Sequence, residues 1–221
     1  MSDPSGQIEI DLHRGGRALR VAIRASRPVG AVRVFRGKTL TQVARQLPTL
    51  YSICATAQAF ACTAACEQAA GLTPSPSVQA LRGRLLQAET VKEHAWRLLL
   101  DWPVALGLEP EAAAMAAVMR RYRALRAHAN GDVDPFSAGA RARVGSHRIE
   151  DAALELASVV SDALFGDSPR RWLSQVADAA TLAGWAAEAP APAARLAHVL
   201  GTAGLGSLGR NDIAALPALP L

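Results

Sequence analysis

LPTLYSICATAQAFACTAACEQAAG, residues 47–71, holds all three cysteines of the 221-residue chain, Cys54, Cys62 and Cys66, in one apolar, alanine-rich segment. Pro48 suits the first turn of a helix and not its interior, so a helix is predicted to begin near it. Gly71 supplies a left-handed stop, and TPSPS at 73–77 cannot continue a helix. At about 100° per residue, Cys62 and Cys66 lie about 40° apart on one face. Cys54 sits about 12 Å before Cys62 along an unbroken helix, so those two share a metal only if the chain bends between them. No CxxC pair completes a structural zinc site. Each cysteine also reads as a small buried hydrophobe.

Upstream, residues 7–12 alternate with Ile8, Ile10 and Leu12 on one face, and residues 18–25 with Leu19, Val21 and Ile23 against Arg20 and Arg24. Gly15-Gly16 between them signals a hairpin. Residues 31–35 predict a third short strand, with Val32 and Val34 opposite Arg33. Thr39 and Gln42 match a capping box that opens a short helix through about Gln46.

Downstream, Ser77 is the expected cap of a helix from Val78 to about Trp102. Pro110 opens another from Glu111 to about Ala129, with Arg120, Arg121, Arg123 and Arg126 in its C-terminal half, where cations suit the helix dipole. Residues 130–146 are loop-like. Residues 149–165 are helical, Ser168-Pro169 caps a further helix, and a last short one runs to about Leu200. The Gly- and Pro-rich tail has no closing element and reads as a chain that stops in mid-domain.

The composition is 50% hydrophobic but 5% aromatic, which points to closely packed, alanine-rich helices. No apolar run has the length of a membrane span, and the N-terminus lacks a signal-peptide pattern. With three cysteines and no export signal, a reduced cytoplasmic location is expected. The net charge of +5 is uneven: residues 1–50 hold nine Lys or Arg and three Asp or Glu. That basic module suits an acidic protein partner; without aromatic stacking residues beside it, nucleic acid is not expected.

Other chemistry is sparse. Glu89 and Glu93 stand five and one residues before His94, spacings that do not share a helix face. Asp132 and Asp134 hint at a hard cation, but no series of oxygen ligands follows. No GxSxG elbow is present, and nothing points to hydrolysis, nucleotide binding or hydride transfer.

Taken with GAVRVFRGK (30–38) and ETVKEHAWRLLLDWP (89–103), the cysteine segment resembles the large subunit of nickel–iron hydrogenases. Cys54 falls on the first cysteine of that subunit's RxCGxCxxxHA motif. Ala57 stands where its metal-binding cysteine belongs, Ala61 where its histidine does, and Val32 where its proton-transferring glutamate does. A large subunit with these residues replaced, together with ICATAQ (53–58) and the late AARLAHVLGTAGLGSLGRNDIAALPALP (193–220), is similar to the HupK/HoxV family of hydrogenase accessory proteins.

The resemblance implies a non-enzymatic scaffold or chaperone. It would receive an Fe(CN)2CO unit from general maturation proteins and deliver it to the hydrogenase large subunit. Cys54 is the implied iron ligand, with Cys62 and Cys66 as secondary metal ligands. The alternative is a metal-free interaction module that mimics the large subunit. The family continues into a cysteine-bearing C-terminal segment. Since no cysteine follows Cys66, a second ligand is expected from another chain, or the chain is a shortened form.

The fold expected is α+β and mainly α, hydrogenase large-subunit-like, in one domain over 1–221. It comprises a small sheet (1–38), central helices (39–130), a loop or hinge (131–148), and C-terminal helices with a tail (149–221).

Overall fold

The computed structural model describes residues 6–16, 18–26, 30–129, 134–141 and 147–207. An antiparallel hairpin, β1 (Ile8–Gly15) and β2 (Ala18–Ala25), opens the chain. The helices that follow are α1 (Leu40–Leu50), α2 (Ala55–Ala69), α3 (Pro76–Trp96), α4 (Trp102–Ala105), α5 (Ala112–Ala129), α6 (His147–Leu164), α7 (Pro169–Gln175), α8 (Ala179–Glu188) and α9 (Pro192–Thr202). The fold is mainly α with a small N-terminal sheet, as the sequence predicts. Of the expected loop or hinge, only residues 134–141 and the start of α6 are described, and the tail from 208 onward lies outside the described residues.

The expected third strand is absent: Ala31–Phe35 forms a 3-10 turn. Its backbone is satisfied locally, with Arg33 N–H donating to the Gly30 carbonyl and Arg36 N–H to that of Arg33. Five alternating residues specify a strand only when a neighbouring strand pairs with them.

The helix expected from Pro48 also begins elsewhere. Thr39 and Gln42 form the predicted capping box, but α1 runs past Gln46 to Leu50 and takes Pro48 into its last turn. There the proline removes one hydrogen bond, to Ala44, just before the helix ends. The chain then turns by 107° between Leu40–Leu50 and Ser52–Ala69. The bend therefore precedes Cys54 and does not fall between Cys54 and Cys62. At the far end Gly71 does close α2, with φ +65°, while Leu72 N–H returns to the Glu67 carbonyl at 2.8 Å.

Ser75, not Ser77, caps α3, because Pro76 then fills the first turn, where its missing N–H is not needed. The long helix is not unbroken to Trp102. Over Arg97–Asp101 it widens into a π turn. Pro103 has no N–H for the carbonyl of Leu99 four residues earlier, and that carbonyl accepts from Glu111 N–H at 2.8 Å instead. The widened turn thus fastens the chain that leads into α5.

The core lies among α3, α5 and α6, where Leu85, Leu99, Val118 and Leu125 are fully buried beside Met115, Leu156 and Leu164. Each such side chain contributes about 1.5–3 kcal/mol relative to exposure. Helices α8 and α9 pack together, and Trp172 and Trp185 meet edge to face, ring centres 5.3 Å apart. No single helix among the described residues is long and apolar enough to cross a membrane.

Candidate functional site

Cys54 occupies the cap position of α2, and its side chain makes no capping hydrogen bond. The first backbone donors of a helix need partners. Here they find one on another helix: the Glu89 carboxylate of α3 accepts from Thr56 N–H at 2.8 Å and from Ala57 N–H at 3.0 Å. Glu89 is only 5% exposed. Its negative charge meets the positive end of the α2 dipole, and it leaves the Cys54 thiol free of capping duty. The Cys54 sulfur, half-buried, accepts instead from the Gln58 amide at 3.7 Å. Arg126 of α5 completes the junction by donating to Thr56 Oγ1 at 3.0 Å.

A cleft of about 360 Å³ opens beside this first turn, lined by Arg45, Pro48, Ala55, Thr56, Arg126 and Asp134 among others. The two residues that follow Cys54 form part of its wall, while Cys54 itself stands at its edge in sequence and is not part of the lining. Two guanidinium groups against one carboxylate make the cleft suited to a ligand that carries negative charge.

The wall contributed by residues 134–139 is held from below. Arg82 of α3 and Glu67 of α2 form a two-pronged ion pair, 2.7 and 2.9 Å, with side chains 1% and 3% exposed. The guanidinium also donates to the carbonyls of Pro135 at 2.7 Å and Ser137 at 3.1 Å. Glu67 accepts from Gly139 N–H at 3.1 Å. Gly139 makes that approach with φ +71°, a conformation that side chains strain to adopt. Thr63 Oγ1 donates to the Phe136 carbonyl at 2.6 Å. Hydrogen bonds from Arg82 hold the Glu67 carboxyl below the usual glutamate range, with Gly139 N–H helping and burial opposing.

Cys62 and Cys66 lie one turn apart on α2, half-buried and buried respectively. Burial raises the Cys62 thiol pKa, and the neighbouring Cys66 raises it further. The helix separates Cys54 from this pair, since eight residues of α-helix rise about 12 Å. Among the described residues no three His, Cys, Asp or Glu side chains come together as a metal site. His94 is exposed, Asp134 accepts from Phe136 N–H at 2.9 Å in a local turn, and Asp132 lies outside the described residues.

Glu67, Arg82 and the capping role of Glu89 escape a search for partners along one helix, because their partners lie on other elements. Their signal is positional. Val78, Arg82, Leu85 and Glu89 follow at spacings of four, three and four, which sets two charges on the apolar stripe of α3.

No protein-family model matches the chain, and no solved structure matches it. Curated relatives do. The chain is 29% identical over 171 residues to the hydrogenase expression/formation protein HupK of Azotobacter vinelandii, covering 76% of this chain and 48% of that protein. The similarity is thus to hydrogenase expression/formation proteins named HupK or HupV. HupV of Azotobacter chroococcum mcd 1, also a hydrogenase expression/formation protein, is 33% identical over 119 residues, or 53% of this chain and 34% of the relative. HupK of Rhodobacter capsulatus is 33% identical over 107 residues, 48% of this chain and 33% of its own. The chain spans between about a third and a half of the length of these curated relatives.

Proposed function

We propose that this HupK-like chain serves the maturation of a nickel–iron hydrogenase in the cytoplasm, as a non-enzymatic scaffold. It would hold an Fe(CN)2CO unit as cargo and pass it to the hydrogenase large subunit. The names of its relatives support the maturation role. The observation that carries the cargo reading is the junction at the start of α2. A thiol without a capping bond adjoins a cleft carrying Arg45 and Arg126.

A thiolate is a soft donor suited to low-spin iron, and a single one leaves the other positions open to exchange. Cyanide ligands carry negative charge outward from the iron, where guanidinium N–H groups can bond to them. The chain's own residues then divide the work. Cys54 ligates, Arg45 and Arg126 receive the cyanides, and Glu89 keeps the first turn of α2 in place without drawing on the Cys54 sulfur. Cys62 and Cys66 stand apart, with a thiol whose raised pKa disfavours the ligating thiolate.

Infrared spectra test this on protein purified without oxygen from cells that express the hydrogenase maturation proteins. Carbonyl and cyanide stretches present in the native chain and lost in Cys54→Ala are expected. Bands that survive in Cys54→Ala would remove Cys54 as the ligand. No bands in the native chain, with hydrogenase proteins still co-purifying, would favour the metal-free interaction module.

A further inference from the structure

The hairpin has two unlike faces. In its register Ile10 lies opposite Ile23, Leu12 opposite Val21 and Ile8 opposite Ala25, with Leu19 opposite Arg14. One face therefore gathers Ile8, Ile10, Leu12, Leu19, Val21 and Ile23, and these six are 51–68% exposed. The reverse face carries Glu9, Asp11 and His13 against Arg20 and Arg24. There Arg24 bonds both Glu9, at 3.2 Å, and Asp11, at 2.7 Å.

A two-stranded ribbon by itself is marginal in water and needs something against its apolar side. Among the described residues no element covers it. We infer that the occupant is a second copy of this chain. Two hairpins would stack apolar face to apolar face, about 10 Å apart, as a four-stranded sandwich.

Three observations select a second copy over a different protein. The face is its own complement: each strand offers three aliphatic side chains, and a two-fold axis between the Ile10–Ile23 and Leu12–Val21 pairs exchanges Ile8 with Leu19, Ile10 with Val21 and Leu12 with Ile23. Its area reaches the lower end of the specific range, because six such residues present roughly 600 Å² per copy, or about 1,200 Å² for the pair. Its chemistry fits too. The carboxylates of the reverse face are already paired within the hairpin, and the aliphatic face, with Arg14 at its rim, offers no set of charges to recognise a charged partner. Interfaces between identical chains are the more apolar class.

Sedimentation equilibrium of the full chain, with loading concentration varied, reads the result directly. The native chain is expected at twice its 23.2 kDa mass. Ile10→Glu and Ile23→Glu, at the centre of the face, are expected to return it to 23.2 kDa with an unchanged helical circular dichroism spectrum. Ala22→Glu, on the reverse face, is expected to stay dimeric. A native chain that remains monomeric up to about 100 µM, well above the micromolar Kd such interfaces commonly reach, would overturn the inference. So would a dimer that persists in both glutamate variants. This outcome is independent of the infrared bands that test the cargo.

Discussion

Arg24 and Arg82 do the same chemical work in opposite surroundings. Each reaches carboxylate oxygens at 2.7 Å. The Arg24 side chain on the hairpin is 66% exposed, whereas that of Arg82 between α2 and α3 is 1% exposed. Water competes for the first and salt screens it. The second has given up its hydration entirely, and is tolerable only because Glu67 and two loop carbonyls satisfy its donors together. Similar bond lengths therefore say little of what a pair contributes. The hairpin pair trims a surface, while the buried pair holds residues 134–139 in position and with them one wall of the cleft.

Replacement of one partner breaks the comparison most sharply. Arg82→Met strands the Glu67 carboxylate in the interior and should destabilise the chain by about 3–5 kcal/mol, read as a lowered urea midpoint. A loss below about 1 kcal/mol, the range of exposed pairs, would mean that the pair is not buried in solution. The native pair also sets an acid limit. The folded Glu67 titrates below its unfolded value of about 4.3, so its contribution is present in full above that value. It is lost as the pH falls through the lower folded value. The acid-side slope of stability between about pH 5 and pH 3 should therefore flatten in Arg82→Met.

Glu89→Ala comes next. It orphans the Thr56 and Ala57 N–H groups, for about 1–3 kcal/mol. Glu89→Gln, which keeps one acceptor oxygen, should lose less by the same urea titration. Equal losses would show that Glu89 acts through its bulk and not as a cap. Arg24→Gln sharpens the contrast from the other side: it breaks both hairpin pairs and should change stability by under about 1 kcal/mol. An equally small effect in low salt would set these pairs at the bottom of that range.

The hairpin was fully legible in the sequence because its information is local. Alternation sets the face, and the glycine pair marks the turn to within one residue: Gly15 closes β1 opposite Ala18, and Gly16, with φ +60°, begins the reversal. The capping box of α1 and the Gly71 stop were legible for the same reason. Residues 31–35 misled because alternation over five residues costs nothing to imitate, and backbone bonds three residues apart satisfied the segment on its own. Pro48 misled because a proline is tolerated in the last turn as well as in the first. The candidate site was half legible. Cys54 stands out by its neighbours in sequence, but its supporting groups do not, because Glu89 and Arg126 join the α2 terminus from 33 and 70 residues away.

That separation bears on the order in which the molecule comes to exist. During synthesis the start of α2 is made 32 residues before the carboxylate that caps Ala57, and its own cap residue cannot serve. The Gly71 end, by contrast, closes with groups already present. Helix formation over residues 55–69 should then proceed backward from the C-terminal end. The turn that carries Cys54 would be the last to set, once α3 has arrived beside it.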